Sequence, residues 1–289
     1  MAFLRRAAAA ALLALLLAGC TPLYFHPMER LVLDPADHGI DYEDVWFESA
    51  DGEVRLHGWF LPATTEPRGT VLFLHGNAEN ISTHIAAAWW LTRHELNVFL
   101  IDYRGFGRSE GRPDFPGVHQ DALGALTWLR DRDDIPADRI VLFGQSLGGA
   151  VAITTAGLVV GEDAVPGVEL QGVVADSPFG SYPGIARDKM RESWVTWPFS
   201  WVPSLTVRGD YDPLDYVDRI SPVPLLLVIA AEDVIIPPHH SQELYEQAGE
   251  PRRLIRLEGL GHNQTTADPA FREQLVDWIH ARLAADPDS

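Results

Sequence analysis

Two hydrophobic periodicities run along this chain. Over residues 42–61, apolar and polar positions alternate on both sides of Asp51-Gly52, a pair that favours a tight turn between two strands. Beyond it the apolar positions come in short continuous runs: Thr70–Leu74, Asn97–Asp102, Arg139–Phe143, Gly172–Ala175, Pro224–Ala231 and Arg253–Leu257. Such runs suit strands buried on both faces, as in a parallel sheet. The intervals between them are long enough for helices over 79–95, 117–132 and Leu147–Val160, and Asp268–Ala285 carries Phe271, Leu275, Trp278, Ile279 and Leu283 at helical spacing. This alternation predicts an α/β fold, a mostly parallel doubly wound sheet with an antiparallel N-terminal hairpin at one edge. One interval, between Ala175 and Pro224, is too long for a plain crossover and reads as a small cap over about 178–216. Its aromatics Trp194, Trp197, Phe199 and Trp201, with Tyr182 and Tyr211, could line an acyl-binding wall, touch a membrane, or bury the cap against the body. The last is expected, because large aromatics mostly serve packing.

The N-terminus follows neither period. Arg5 and Arg6 precede an unbroken apolar run from Ala7 to Ala18, too short to span a bilayer, which takes roughly 20 residues. A positive start, a short apolar run and small residues after it make a secretory signal over residues 1–19. Leu17-Ala18-Gly19-Cys20 resembles the bacterial lipobox, in which cleavage precedes a cysteine that carries diacylglycerol, and Cys20 is the chain's one cysteine. The resemblance implies a protein anchored in the cell envelope through Cys20 and facing the periplasm. Thr21, rather than Asp, follows the cysteine, which by resemblance to Gram-negative lipoproteins implies the outer rather than the inner membrane. Residues 20–40, rich in Pro, His and Asp, read as a tether, and 41–285 as the folded domain.

Composition narrows the partners. With 22 Lys+Arg against 41 Asp+Glu the net charge is −19, which argues against nucleic acid, whose phosphates need clustered cations. A single cysteine forms no internal disulfide, and no Cys/His cluster has zinc spacing. His239-His240 reads as a surface or helix-cap pair rather than metal ligands, and His119 and His280 as packing or surface residues.

The chemistry lies in Arg139–Gly149, RIVLFGQSLGG. A strand is followed by Gly144-Gln145-Ser146-Leu147-Gly148 and then by a helix, the setting in which G-x-S-x-G lifts a serine hydroxyl above a sheet edge. The flanking glycines have no Cβ to strike the neighbouring strand and helix. A serine needs a base, and the base needs an orienting acid. Asp233 follows the run Pro224–Ala231, and His262 lies in Gly259-Leu260-Gly261-His262-Asn263 after the last strand. The order Ser146, Asp233, His262 is that of nucleophile, acid and base on this kind of sheet. Asp176, which also ends a predicted strand, is the rival acid, and Glu232 the third choice. An oxyanion needs two preorganised donors. The backbone N–H of Leu147 is one; the other comes from His75-Gly76-Asn77-Ala78, with Asn77 preferred and Ala78 the alternative, the His75 side chain bracing backbone.

LHGNAEN, IDYRGFGRSEG, GQSLGG, DSPF, IAAEDVIIP and GLGHN stand in the order of the α/β-hydrolase superfamily and span residues 74–263. The chain resembles its serine-aminopeptidase-type, BEM-like branch, which includes protein depalmitoylases. The resemblance implies the α/β-hydrolase fold, no cofactor, and acyl transfer to water through an acyl-enzyme on Ser146. It also implies that Asp102-Tyr103-Arg104-Gly105 shapes the oxyanion side of the pocket. Serine at 146 excludes the carboxylate-nucleophile members, and Glu110 breaks a dinucleotide pattern begun by Gly105-Phe106-Gly107. The expected activity is ester or thioester cleavage of a small acyl substrate. The alternatives are an aminopeptidase or amidase of the same fold and a non-catalytic, membrane-tethered binding protein.

Overall fold

The computed structural model describes residues 25–207 and 209–284. The signal segment 1–19, Cys20 and the start of the tether lie outside the described residues. Eight strands form one sheet: β1 Glu43–Glu48, β2 Arg55–Leu61, β3 Gly69–Leu74, β4 Leu96–Asp102, β5 Ile140–Gln145, β6 Leu170–Asp176, β7 Leu225–Ala230 and β8 Arg252–Leu257. Their order across the sheet is β8-β7-β6-β5-β3-β4-β2-β1. The pairs from β8 through β4 are parallel, while β2 runs antiparallel to both β4 and β1. The doubly wound sheet with an antiparallel hairpin at its edge is therefore present, with strand ends within two residues of the predicted runs.

The alternation of strand side chains sorts the apolar residues onto two faces. On β3, Leu72 and Leu74 join one cluster with Val118, Ala122 and Leu126 of helix α1 (Phe115–Arg130) and Val151 of helix α2 (Leu147–Glu162). Val71 and Phe73 point the other way, into a cluster with Phe271, Leu275 and Ile279 of α5, the C-terminal helix Pro269–Leu283. Helix α2 is buried all round from Leu147 to Val159, as befits a central helix without a polar stripe. Two further helices, α3 (Tyr182–Arg191) and α4 (His239–Gln247), lie between and after the last inner strands. Among the described residues no helix is long and apolar enough to cross a membrane.

Three expectations are corrected. The helix expected over 79–95 is one helical turn, Ile81–His84, followed by the 3-10 turns Ile85–Ala87 and Trp89–His94. Its carbonyls are drawn off sideways: Ala87 accepts from the Trp90 indole, Trp89 from the Thr92 hydroxyl, and Thr92 from the N–H of Thr64. Residues 25–40 are no free tether. Phe25 is buried against Phe106 and Phe115, and His26–Pro27 form a short parallel ladder with Ala78–Glu79. The cap aromatics divide. Tyr182 is buried and Tyr211 stacks on His119, but Trp194, Trp197, Phe199 and Trp201 are exposed, at 56 to 87%. The stretch that carries these four consists of short turns around Trp197–Phe199 and Pro203–Thr206, which leave little surface to bury rings against.

The parallel strands direct their C-terminal ends to one rim. β3 lies between β5 and β4, so the connections after β3 and β5 leave in opposite senses. That switch point opens a crevice at the rim, where Gly76 follows β3 and Ser146 follows β5.

Candidate active site

Ser146 sits at φ +56°, ψ −117°, a conformation that costs a non-glycine residue of order 1–3 kcal/mol. Close packing enforces it. A Cβ on Gly144 would lie 2.0 Å from the Gly148 carbonyl oxygen, and one on Gly148 would lie 1.9 Å from the Leu74 carbonyl oxygen. Strand, turn and helix are thus in backbone contact, and only glycine fits both positions. The Ser146 N–H donates to the Asp176 carbonyl at 2.8 Å. Ser146 stands at the N-cap of α2 without its hydroxyl capping the helix. Among the described residues no partner holds that hydroxyl. Leu147 is the first residue of α2, so its N–H is one of the four without an intrahelical acceptor.

Asp233 and His262 meet directly. His262 Nδ1 lies 2.6 Å from Asp233 Oδ2, with both side chains largely buried. The other carboxylate oxygen, Oδ1, accepts the N–H groups of Ile235 and Ile236, each at 2.8 Å. Burial alone would raise the Asp233 pKa. The bond to His262 and the two backbone N–H groups outweigh burial and hold it below the ordinary carboxylate value. Ionised Asp233 therefore takes the Nδ1–H of His262 and leaves Nε2 as the basic nitrogen. Asn263, in the left-handed region at φ +60°, turns the chain after the imidazole, and Gln264 Oε1 accepts the Gly261 N–H at 2.9 Å.

Ser146 and His262 are not hydrogen-bonded to each other; their neighbours are joined instead. Asp176 Oδ2 accepts from Gln145 Nε2, one residue before Ser146, at 2.8 Å, and from the Thr265 hydroxyl, three residues after His262. Its Oδ1 accepts from the Ser177 hydroxyl at 3.1 Å. The rival acid is thus a fully buried link between the Ser146 turn and the histidine loop, without a bond to His262. Burial raises its pKa against the three donors. Sequence reading ranked Asp176 as a competing acid and passed over Gln145 and Thr265. The available signal was that Asp176 ends the strand next to Gln145, where a polar side chain between two sheet strands must find a partner. Glu232 instead fixes the loop through its backbone, its N–H donating to the Leu260 carbonyl at 3.0 Å.

The loop after β3 lies against Ser146. A Cβ on Gly76 would sit 3.7 Å from Ser146 Cβ and 3.5 Å from His84 Cε1. Asn77 follows, its carbonyl accepting the His26 N–H at 2.9 Å; Met28 donates to the Glu79 carbonyl at 3.0 Å. The N-terminal segment therefore braces this loop from outside. From inside, Asp102 Oδ1 accepts the Ile81 N–H at 2.9 Å, and the Tyr103 hydroxyl donates to the His75 carbonyl at 3.3 Å. His75 Nδ1 bonds the Gly76 carbonyl at 2.6 Å. Burial, then the neighbouring His84, lower the His75 pKa to about 3, so the ring is neutral. Arg104 points away, paired with Asp121 and Asp51, and ties the hairpin turn to α1. A cavity of about 310 Å³ opens alongside, lined by His84, Ala87, Gln145, Asn263, Thr266 and Arg272 among others.

One other cluster has ligand-forming side chains. Asp188 Oδ2 lies 3.2 Å from His239 Nε2 and 3.3 Å from His240 Nε2. The Gly180 N–H points at His240 Nδ1. That leaves the ring proton on Nε2, the atom a metal would need, so the trio fits a polar latch between α3 and α4 better than a metal centre.

Residues 65–219 match the family described as serine aminopeptidase, S33. The Escherichia coli K12 protein YfhR is 38% identical over 248 residues, 83% of this chain and 81% of its own length. The Arabidopsis thaliana α/β hydrolase domain-containing protein WAV2 is 34% identical over 230 residues, 75% of this chain and 70% of its own. Among solved structures, the Pyrococcus furiosus esterase Pf2001 superposes with a TM-score of 0.68 at 24% identity, covering 89% of this chain and 98% of that one. A Vibrio vulnificus α/β hydrolase gives 0.68 at 19%, covering 88% of each chain.

Proposed function

This chain belongs to the serine aminopeptidase S33 family of α/β hydrolases and is a hydrolase of that fold, and from that premise we propose that it cleaves carboxylic esters or thioesters through an acyl-enzyme on Ser146. The observation that carries the reading is the bond between His262 Nδ1 and Asp233 on the rim that also holds a strained serine with an uncommitted hydroxyl, the two loops linked through Asp176. In the proposed cycle Ser146 Oγ attacks the acyl carbon while His262 Nε2 takes the hydroxyl proton. The oxyanion is held by the backbone N–H groups of Leu147 and Asn77. Collapse breaks the bond to the leaving oxygen or sulfur, which receives the proton from His262. Water then repeats the sequence, giving its proton to Nε2 and releasing the carboxylic acid. Asp233 keeps the proton on Nδ1 in the resting ring and balances the imidazolium.

Ester cleavage is preferred over amide cleavage because similar solved structures include esterases, among them an acetyl xylan esterase from a Paenibacillus species. The family description supplies the second reading, an aminopeptidase. Labelling by a fluorophosphonate probe at Ser146, abolished in Ser146→Ala, is the expected result; a folded protein that takes no label would refute the catalytic reading. A panel of short and long p-nitrophenyl esters and aminoacyl p-nitroanilides then decides between ester and amide.

The proposal extends to location. Cleavage before Cys20 and lipid attachment to its thiol would fix the domain to an envelope membrane, the outer one by the residue that follows. The tryptic peptide Cys20–Arg30 from membrane-extracted protein should carry the added lipid mass; an unmodified peptide would remove the anchor from the reading.

A further inference from the structure

We propose that the cap carries a membrane-docking surface and that the site faces the bilayer, an inference that rests on the anchored-hydrolase reading above. Residues 193–207 contain no Asp, Glu, Lys, Arg or His, in a chain whose net charge is −19. They fold as a compact run of turns: Trp197 N–H donates to the Ser193 carbonyl, Val202 to Phe199 and Val207 to Pro203. Trp194, Trp197, Phe199, Trp201 and Leu205 stand out from it, each more than half exposed. The apolar surface continues onto the loop that carries Asp233. Val234 is 79% exposed, and its carbonyl accepts from Lys189 Nζ at the end of α3, 3.3 Å away. Arg187, Lys189 and Arg191 lie just before the uncharged stretch. Lys189 is paired with Glu192 and Arg191 with Asp188, so the edge is close to neutral, and its exposed indole rings suit the headgroup layer of a membrane, where such rings lie at the apolar boundary.

Where the chain enters the domain selects the bilayer as occupant. Phe25 packs on Phe115 with ring centroids 5.3 Å apart, and Phe115 packs on Tyr182, the first residue of α3, at 4.5 Å. The next residues, His26–Pro27, pair with the loop after β3. The N-terminus thus reaches the fold at the catalytic rim, beside the cap. Cys20 is five residues from Phe25, a span of at most roughly 18 Å when fully extended. An anchor that short holds this rim, and no other face, against the membrane. The lipid then does what charge cannot in so acidic a protein: it presses an uncharged, Trp-rich edge onto the interface. The site beside it is open to esters whose acyl chains reside in the bilayer.

The test uses membrane-extracted full-length protein reconstituted in phosphatidylcholine vesicles, with and without bromine-substituted phosphatidylcholine as a contact quencher. Trp194, Trp197 and Trp201 are three of nine tryptophans. The expected result is loss of about a third of the emission on bromolipid, abolished in Trp194→Ser/Trp197→Ser/Trp201→Ser. That variant should still cleave water-soluble p-nitrophenyl acetate at the wild-type rate, which shows that it is folded. Wild-type emission indifferent to bromolipid, or quenching equal in the variant, overturns the proposal. So does a bromolipid-insensitive protein whose sedimentation shows patch-dependent self-association, since the patch would then bind a second copy. The Cys20–Arg30 peptide separates the two readings. If it carries no lipid the anchor reading fails, while quenching of protein added to vesicles still decides whether the cap docks.

Discussion

Replacing Asp233 by Asn tests the assignment of the acid at the level of a single proton. Asp233 Oδ1 is held by the N–H groups of Ile235 and Ile236, each at 2.8 Å, and Oδ2 faces His262 Nδ1 at 2.6 Å. In the variant the amide oxygen must remain with the two N–H groups. Turning the NH2 toward them would oppose donors and leave both unsatisfied, at about 1–3 kcal/mol each. The NH2 therefore faces His262, which must accept it on Nδ1 and carry its proton on Nε2. A ring in that tautomer cannot take the Ser146 proton, and the carboxylate that balances the imidazolium is gone as well. The expected loss is about 10³–10⁴-fold in kcat, or about 4–5.5 kcal/mol of transition-state stabilisation, with KM nearly unchanged.

The same substitution at Asp176 should do little, although both are carboxylates at strand ends on one rim. In Asp176→Asn the new amide could keep its oxygen toward Gln145 Nε2 and the Thr265 hydroxyl and offer its NH2 to Ser177 Oγ, a hydroxyl able to accept as well as donate. No bond need be lost, and kcat should fall by less than about tenfold. Steady-state hydrolysis of p-nitrophenyl acetate by the two variants, with the rate of fluorophosphonate labelling as an independent readout, decides. Asp233→Asn within tenfold of wild type alongside an inactive Asp176→Asn would refute the assignment and the tautomer argument with it.

Other outcomes follow from the same geometry. Thr265→Val removes a donor to the buried Asp176 carboxylate; it should lower kcat about tenfold with KM held and cost about 1–3 kcal/mol in urea unfolding, with Thr265→Ser restoring both. Gly148→Ala places a methyl 1.9 Å from the Leu74 carbonyl oxygen and should cost at least about 3 kcal/mol or prevent folding, read as loss of soluble protein. Asp212 has its pKa raised to about 6, chiefly by burial and further by Asp215 and Asp210, against bonds from Tyr182 N–H and Ser181. A carboxyl whose pKa is higher folded than unfolded stabilises below its ordinary value near 3.8, and that stability is lost as pH rises through 6. Asp212→Asn should therefore raise Tm at pH 8 and leave it unchanged or lower at pH 4; no rise at pH 8 would refute the burial argument. His75, held neutral at about 3, works in the opposite sense: its contribution is lost as pH falls below the ordinary histidine value, so His75→Gln should flatten the decline of Tm between pH 6 and 4.

How far the chain could be read in advance depends on whether a feature is local. Strands buried on both faces announce themselves, because every position must be apolar; β3, β5 and β7 are buried throughout their length. The nucleophile turn is equally local, since backbone contact at Gly144 and Gly148 leaves a fixed spacing in the sequence. The interval 79–95 misled because its residues could form a helix, while the donors that divert its carbonyls are side chains within it, Trp90 and Thr92, and the backbone of Thr64 outside it. The linking role of Asp176 was hidden for the same reason. Its partners Gln145 and Thr265 stand 31 and 89 residues away, and only the sheet order makes them neighbours. The exposed cap tryptophans could not be told from packing ones, because an uncharged aromatic run reads alike in either place.

The two carboxylates show why position on the same rim does not fix a role. Asp176 lies inside the sheet, between β5 and the histidine loop, with its oxygens taken by three side-chain donors. Its oxygens are already committed to holding two loops together and direct no lone pair at an imidazole. Asp233 lies one strand farther out, on a loop where two consecutive backbone N–H groups fix one oxygen and leave the other free to face His262. The first arrangement resists motion between the nucleophile turn and the base. The second sets a proton on one nitrogen. The proposed acyl-enzyme cycle needs both, and in that reading separating them into two residues lets Ser146 and His262 approach without a standing bond between them, so that the serine hydroxyl stays uncommitted until an acyl group arrives.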